Sequence, residues 1–168
     1  MGQQQLLLVI LVTIIVGIAT VVAINTFGTA ADQANLDAVT NDVATLASAA
    51  QGYYMRPAML GGGGRTFDGS ANPDSEGISF DGLAFPSTGM SEDEQTAQNE
   101  NGRYEITVVD ASSFTITAHP SSCEGYEPGT INEDGTAEAA VGTLVGGADC
   151  QEPDRIIATV TPSNFTIN

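Results

Sequence analysis

Residues 1–31 contain no Lys, Arg, Asp or Glu, and within them Leu6–Ile24 (LLLVILVTIIVGIATVVAI) is a 19-residue run broken in polarity only by Thr13, Gly17 and Thr20. A charge-free apolar run of about 18 residues or more is long enough to cross a bilayer as a helix. A cleaved secretory signal has a basic start, a shorter apolar centre and a small-residue cleavage site. Here the start is Met1-Gly2-Gln3-Gln4-Gln5, the apolar run is longer, and only Thr29-Ala30-Ala31 approximates a cleavage site. The segment is therefore expected to be retained, and to need an apolar surround: lipid, or other copies of itself.

From Asp32 the pattern changes character. Leu36, Val39, Val43, Leu46, Ala50 and Tyr53 recur at alternating spacings of three and four, a narrow stripe on one helical face, with Asp37, Asn41, Asp42, Thr45 and Ser48 between them. The spacing predicts one long helix from about Gln3 to Tyr54, apolar on every face at first and amphipathic afterwards. Glycine inside a helix costs about 1 kcal/mol relative to Ala, so bending or melting is expected at Asn25-Thr26-Phe27-Gly28. Arg56-Pro57 should end the helix, because the residue before a proline is pushed out of the α region.

Residues 57–101 are rich in Gly, Ser, Asp and Asn, with a four-glycine run at Gly61–Gly64. They read as an irregular connection anchored by Ile78, Phe80, Leu83 and Phe85, with Ser91-Glu92-Asp93-Glu94 as a solvated turn or helix start. Tyr53 and Tyr54 are expected to pack the helix onto a sheet. In Arg103–Val109, Tyr104, Ile106 and Val108 alternate with Arg103, Glu105 and Thr107; after Asp110-Ala111-Ser112, Phe114, Ile116 and Ala118 alternate with Thr115, Thr117 and His119. Two period-2 runs around a short polar turn predict an antiparallel hairpin, stopped by Pro120. Residues 130–144 offer a further short strand, Arg155–Val160 another, and Phe165-Thr166-Ile167 packs at the end.

The net charge is −17, the four basic residues are Arg56, Arg65, Arg103 and Arg155, and Lys is absent. Such a surface repels phosphate backbones and anionic headgroups, which argues against nucleic acid as a partner. It suits a salty exterior, where screening softens self-repulsion. No catalytic constellation is present, so the chain does not read as an enzyme, and no cofactor is implied. The lone histidine, His119, sits at a strand end with no nucleophile placed by any motif and reads as a surface residue. Asp68, Ser70, Asn72, Asp74 and Glu76 set oxygen ligands on alternate residues, as the first part of a calcium loop does. Pro73 replaces the turning glycine and Ser79 the closing glutamate, so a solvated acidic loop is the expected reading. Asn132–Asp134 offers a second acidic stretch of the same kind. Asn164-Phe165-Thr166 is the sole N-x-[ST] sequon.

Cys123 and Cys150 lack CxxC spacing, which argues against zinc. An even cysteine count in an exported domain leaves a disulfide or two thiols; the disulfide is the expectation. It would close a loop of 28 residues, worth about 3.5 kcal/mol in the loop-entropy model.

An apolar N-terminal helix running into an amphipathic one, a glycine-rich connection, a β-meander and a late cysteine-bounded loop together resemble the type IV pilin superfamily, which includes the pseudopilins of type II secretion. Gln3–Phe27 matches the family's protruding helix half, Arg103–Pro120 its central hairpin, and Cys123–Cys150 its C-terminal disulfide loop. The resemblance implies an α+β fold. Residues 1–31 would be the membrane and filament-core helix and 32–56 its amphipathic half. Residues 57–168 would form a β-rich head on a sheet of about three to five strands: the connection at 57–101, the hairpin at 102–120, the disulfide loop at 123–150 and a C-terminal strand region at 154–168. It further implies a structural subunit of an extracellular filament at the cell surface. The subunit would be held in the inner membrane before assembly, handled there by a pilus assembly machinery, and then polymerised with copies of itself into a helical homopolymer. The core of that polymer would be Leu6, Leu7, Leu8, Ile10, Leu11, Ile14, Ile15, Ile18, Val21, Val22 and Ile24. The chain departs from the family in three places. Gln5 stands where members carry a glutamate that pairs with a neighbouring amine, the basic leader is missing from the sequence, and Val22 lies near the place of the family's helix proline. In a bundle the Met1 amine would have to be solvated, paired with carbonyls of Gln3, Gln4 or Gln5, or modified, since a buried unpaired charge is costly. The alternatives are a signal-anchored periplasmic or cell-surface domain, or a type II secretion pseudopilin.

Overall fold

The computed structural model describes residues 2–71, 77–91, 93–123, 126–127, 143–144 and 155–167. Helix α1 is Gly2–Met55. The chain divides into two compact units, Met1–Ala34 and Asn35–Asn168. The first is helix alone. The second is an α+β unit: the later part of α1, packed on a six-stranded antiparallel sheet of order β1-β2-β3-β4-β7-β8. Its strands are β1 (Gly89–Met90), β2 (Thr96–Gln98), β3 (Gly102–Asp110), β4 (Ser113–Pro120), β7 (Ile156–Val160) and β8 (Phe165–Ile167). A separate two-stranded ladder pairs β5 (Tyr126–Glu127) with β6 (Thr143–Leu144).

The melting expected at residues 25–28 does not occur; α1 runs through them. One glycine is too small a penalty to interrupt a helix whose flanking residues all keep their bonds. The polar side chains there bond inside the helix instead of capping a turn: Thr26 Oγ1 donates to Val22 O at 2.8 Å, and Thr29 Oγ1 to Thr26 O at 3.1 Å. The helix ends at Met55, and Pro57 leads into a 3-10 turn at Ala58–Leu60.

The predicted stripe is the buried face: Val39, Val43, Leu46, Ala47, Ala50 and Tyr53 are buried and Leu36 half-buried. The sheet answers it in cross-strand rows. Ala97, Tyr104, Ala118 and Ile156 make one row, Ile106, Ile116, Ala158 and Ile167 a second, and Val108, Phe114, Val160 and Phe165 a third. Because strand side chains alternate, a one-residue slip would send each row to the outer face, so burial fixes the register. The sheet is wider than expected because residues 89–98, read as part of an irregular connection, hold β1 and β2. Each is only two or three residues long, too short to show a period. Of the predicted anchors, Ile78, Phe80 and Leu83 are buried and Phe85 half-buried; Phe67 joins them as a fully buried residue.

Tyr53 and Tyr54 join the core that the helix shares with the sheet, and they hold the connection as well. Tyr53 Oη donates to Gly77 O at 3.1 Å, and the Tyr54 ring stacks on Phe67, itself edge-on to Phe114 of β4. One further expectation, for His119, changes. His119 is buried, not on the surface, with 5% exposure. It pairs across the ladder with Arg103, and the chain doubles back beside it, Cys123 N–H donating to Pro120 O with both residues buried. A strand end that is covered in this way has no sequence period to announce it.

The helix is pinned to one end of the sheet by two polar side chains two turns apart. Asp42 Oδ2 accepts from Asn99 Nδ2 at 2.9 Å, Asn101 Nδ2 at 2.8 Å and Tyr104 Oη at 2.7 Å. Asn35 Nδ2 donates to Asn101 O and Ser121 Oγ, and Asn35 Oδ1 accepts from Ser122 N and Oγ. Towards the helix end Gln51 Nε2 donates to Thr161 O at 3.3 Å. Replacing Asp42 removes the acceptor shared by two amides and the hydroxyl of the fully buried Tyr104. Hydrogen bonds to a charged group are worth more than neutral ones, so Asp42→Ala should destabilise the folded unit by about 3 kcal/mol, measured by denaturant unfolding.

Tight turns are closed by aspartates. Asp110 accepts from Ser112 N–H at 2.7 Å in the β3–β4 turn, and Asp93 accepts from Ser91 Oγ and Gln95 N–H between β1 and β2. The bond from the Ser112 N–H holds the Asp110 carboxyl below the ordinary carboxylate range, and the Ser91 hydroxyl does so first for Asp93. A depressed folded-state pKa means stabilisation that is present above the unfolded-state value and lost as pH falls through the folded one. A carbon-detected NMR titration should therefore place Asp110 below about 3.9, the usual Asp value; a midpoint at or above it would contradict the turn geometry.

Candidate functional site

Every described residue from Gly2 to Ala34 is exposed. The residues expected to form a filament core, from Leu6 to Ile24, range from 48% exposure at Ile10 to 70% at Leu7, and Phe27 reaches 77%. A helix that is apolar all round must be buried against something else. Burying one such side chain is worth about 1.5–3 kcal/mol, so wetting the whole segment costs on the order of 20 kcal/mol. The helix is long and apolar enough to cross a membrane.

The segment's hydroxyls do not spoil that surface. Thr13 Oγ1 donates to Ile10 O and Thr20 Oγ1 to Val16 O, each at 2.8 Å. With the helix bonding its own backbone and its threonines, the described part of this surface asks no partner for a hydrogen bond. Cβ atoms at Gly17 and Gly28 would meet nothing, so the two glycines are notches in an open surface rather than packing contacts within the subunit. Gln3, Gln4 and Gln5 are exposed at the start of the helix; Met1 lies outside the described residues.

The other sequence-marked residues fall elsewhere. Asp68 accepts from Ser70 N–H at 3.0 Å, and the Ser70 side chain, then its N–H, keeps the Asp68 carboxyl below the ordinary range. Asn72, Asp74 and Glu76 lie outside the described residues, as do Asn132–Asp134. Among the described residues no three His, Cys, Asp or Glu side chains gather as metal ligands. Asn164 is exposed in the β7–β8 turn, its carbonyl accepting from Thr161 N–H and Oγ1 at 2.8 Å each. Cys123 is buried at the end of β4; Cys150 lies outside the described residues, and with it the expected bridge.

Sequence reasoning passed over the end of α1. Met55, Met59 and Leu60 are exposed there beside Arg56 and Arg65. The available signal was a charge gap: Val43–Phe67 holds two arginines and no acid in a chain of net charge −17.

These parts define a class: a long N-terminal helix, apolar first and amphipathic after, with the amphipathic part on an antiparallel sheet. That layout is pilin-like. No family model, curated protein or solved structure matches the chain, so the layout stands on its own geometry.

Since its hydroxyl is already spent on Val16 O, Thr20 is a carbon surface towards any neighbour. Thr20→Val should leave membrane insertion and any assembly within about twofold of the parent, measured by carbonate extraction and pelleting yield.

Proposed function

We propose that the chain is a structural subunit of an extracellular filament of the type IV pilus kind and a member of the pilin superfamily. The observation that carries this reading is the continuous apolar surface of residues 6–24, exposed on all sides and free of unmet hydrogen-bonding groups. In the membrane that surface lies among lipid tails, the helix satisfying its own backbone bonds. On extraction by an inner-membrane assembly machinery, the same side chains exchange lipid contact for contact with helices of neighbouring copies. A head-to-tail contact that does not close on itself grows an open helical polymer. The acidic α+β unit keeps the polymer soluble at the cell surface. Gln5, unlike a glutamate, cannot neutralise a neighbour's amine, so in this reading the Met1 amine is solvated, bonded to carbonyls of Gln3–Gln5, or modified.

An aspartate in the middle of the segment cannot enter a dry helix bundle without a partner, at a cost of several kcal/mol. Val12→Asp should abolish filaments while leaving the head's thermal unfolding unchanged; electron microscopy of sheared surface material checks it. Normal filaments from this variant would defeat assembly through the apolar segment. Isolated particles in detergent from the parent chain would leave a signal-anchored domain, and scarce, short filaments a secretion pseudopilin.

A further inference from the structure

The end of α1 carries a cluster of exposed apolar side chains. The four-glycine run folds flat over the last helical turn. Gly63 N–H donates to Tyr53 O at 2.9 Å, Gly64 N–H to Arg56 O at 3.0 Å and Arg65 N–H to Tyr54 O at 3.0 Å. A Cβ at Gly62 would lie 2.3 Å from Arg56 Cβ, and one at Gly63 2.1 Å from Thr66 O. This cap satisfies the Tyr53 and Tyr54 carbonyls in the last helical turn and fixes what it presents. Met55 is 72% exposed, Met59 94% and Leu60 71%, flanked by the exposed Arg56 and Arg65.

Two features say that these side chains are presented for contact. Arg65 holds φ at 76°, directly after a glycine run where one more glycine would be free of strain. A side chain kept in the left-handed region at a cost of about 1 kcal/mol or more is kept for what it reaches. The composition is also that of an interface centre, where Met and Arg are enriched and Lys and acids depleted.

We propose that this surface is the docking face for the acidic head of a second copy of the chain within the filament. The inference rests on the filament reading above and adds the contact between heads. The occupant follows from charge: residues 43–67 carry Arg56 and Arg65 and no acid in a molecule of net charge −17, so the two arginines find their opposite charge on the acidic side chains of a second copy. Because the cap is already hydrogen-bonded, little ordering cost is left to be met on docking.

Hydroxyl-radical oxidation of Met59 tests this without altering the chain. Met59 should oxidise readily in detergent-dispersed subunits and be protected in filaments of the full chain. In parallel, Arg56→Glu/Arg65→Glu should lower filament yield at least about tenfold, a loss of some 1.4 kcal/mol or more per contact, with thermal unfolding unchanged. Equal oxidation of Met59 in both states would overturn the inference while leaving the filament standing, as would the parent yield from the charge-reversed variant. If that variant fails to fold, the oxidation of the parent chain decides. A parent chain that never polymerises would remove the filament reading, and this contact with it.

Discussion

A backbone in a dry environment must make all its hydrogen bonds within itself, and the first part of α1 meets that requirement. Its first part spends every threonine hydroxyl described there on its own carbonyls, leaving a surface to which lipid and protein are equally acceptable. An apolar surface in contact with lipid gains little hydrophobic energy by moving to a protein neighbour. In the filament proposed above, packing shape and the groups at the segment's ends, where Gln3–Gln5 and the first acid, Asp32, stand, would have to distinguish a protein neighbour from lipid.

The folded unit solves a different problem. Its apolar rows orient the helix across the sheet but say little about sliding along it, since Val39, Val43 and Leu46 could trade places with modest loss. Asp42 and Asn35 supply the stop. A carboxylate oxygen that accepts three donors from β3 and the turn before it works at one axial position only. Polar bonds of this kind add modest net stability but strong specificity, because a displaced helix would take the shared Asp42 acceptor away from Asn99 Nδ2, Asn101 Nδ2 and Tyr104 Oη.

Periodicity made the larger elements legible. The three-four spacing from Leu36 to Tyr53 named the buried face, and the alternation in Arg103–Val109 and Phe114–His119 named the hairpin and its inward residues. Leu6–Ile24 announced itself by the absence of charge. What escaped was whatever lacks a period. β1 and β2 are too short, His119 is buried by a local doubling-back of the chain, and the Asp42 cluster joins residues some sixty positions apart with nothing in the sequence to pair them. The capped end of α1 was visible as a glycine run, but its exposed methionines became meaningful only once the backbone bonds showed that the loop cannot fold them inward.

The uniformity of the N-terminal helix has a geometric corollary. A rod that is equally greasy around its circumference has no preferred azimuth: turning it by one residue's worth of rotation offers a neighbour nearly the same surface. Such a rod can set how closely copies approach, but hardly how far each is rotated or raised relative to the last. In any ordered stack of this chain, pitch and handedness must come from the less uniform groups, the notches at Gly17 and Gly28 and the side chains displayed by the folded unit.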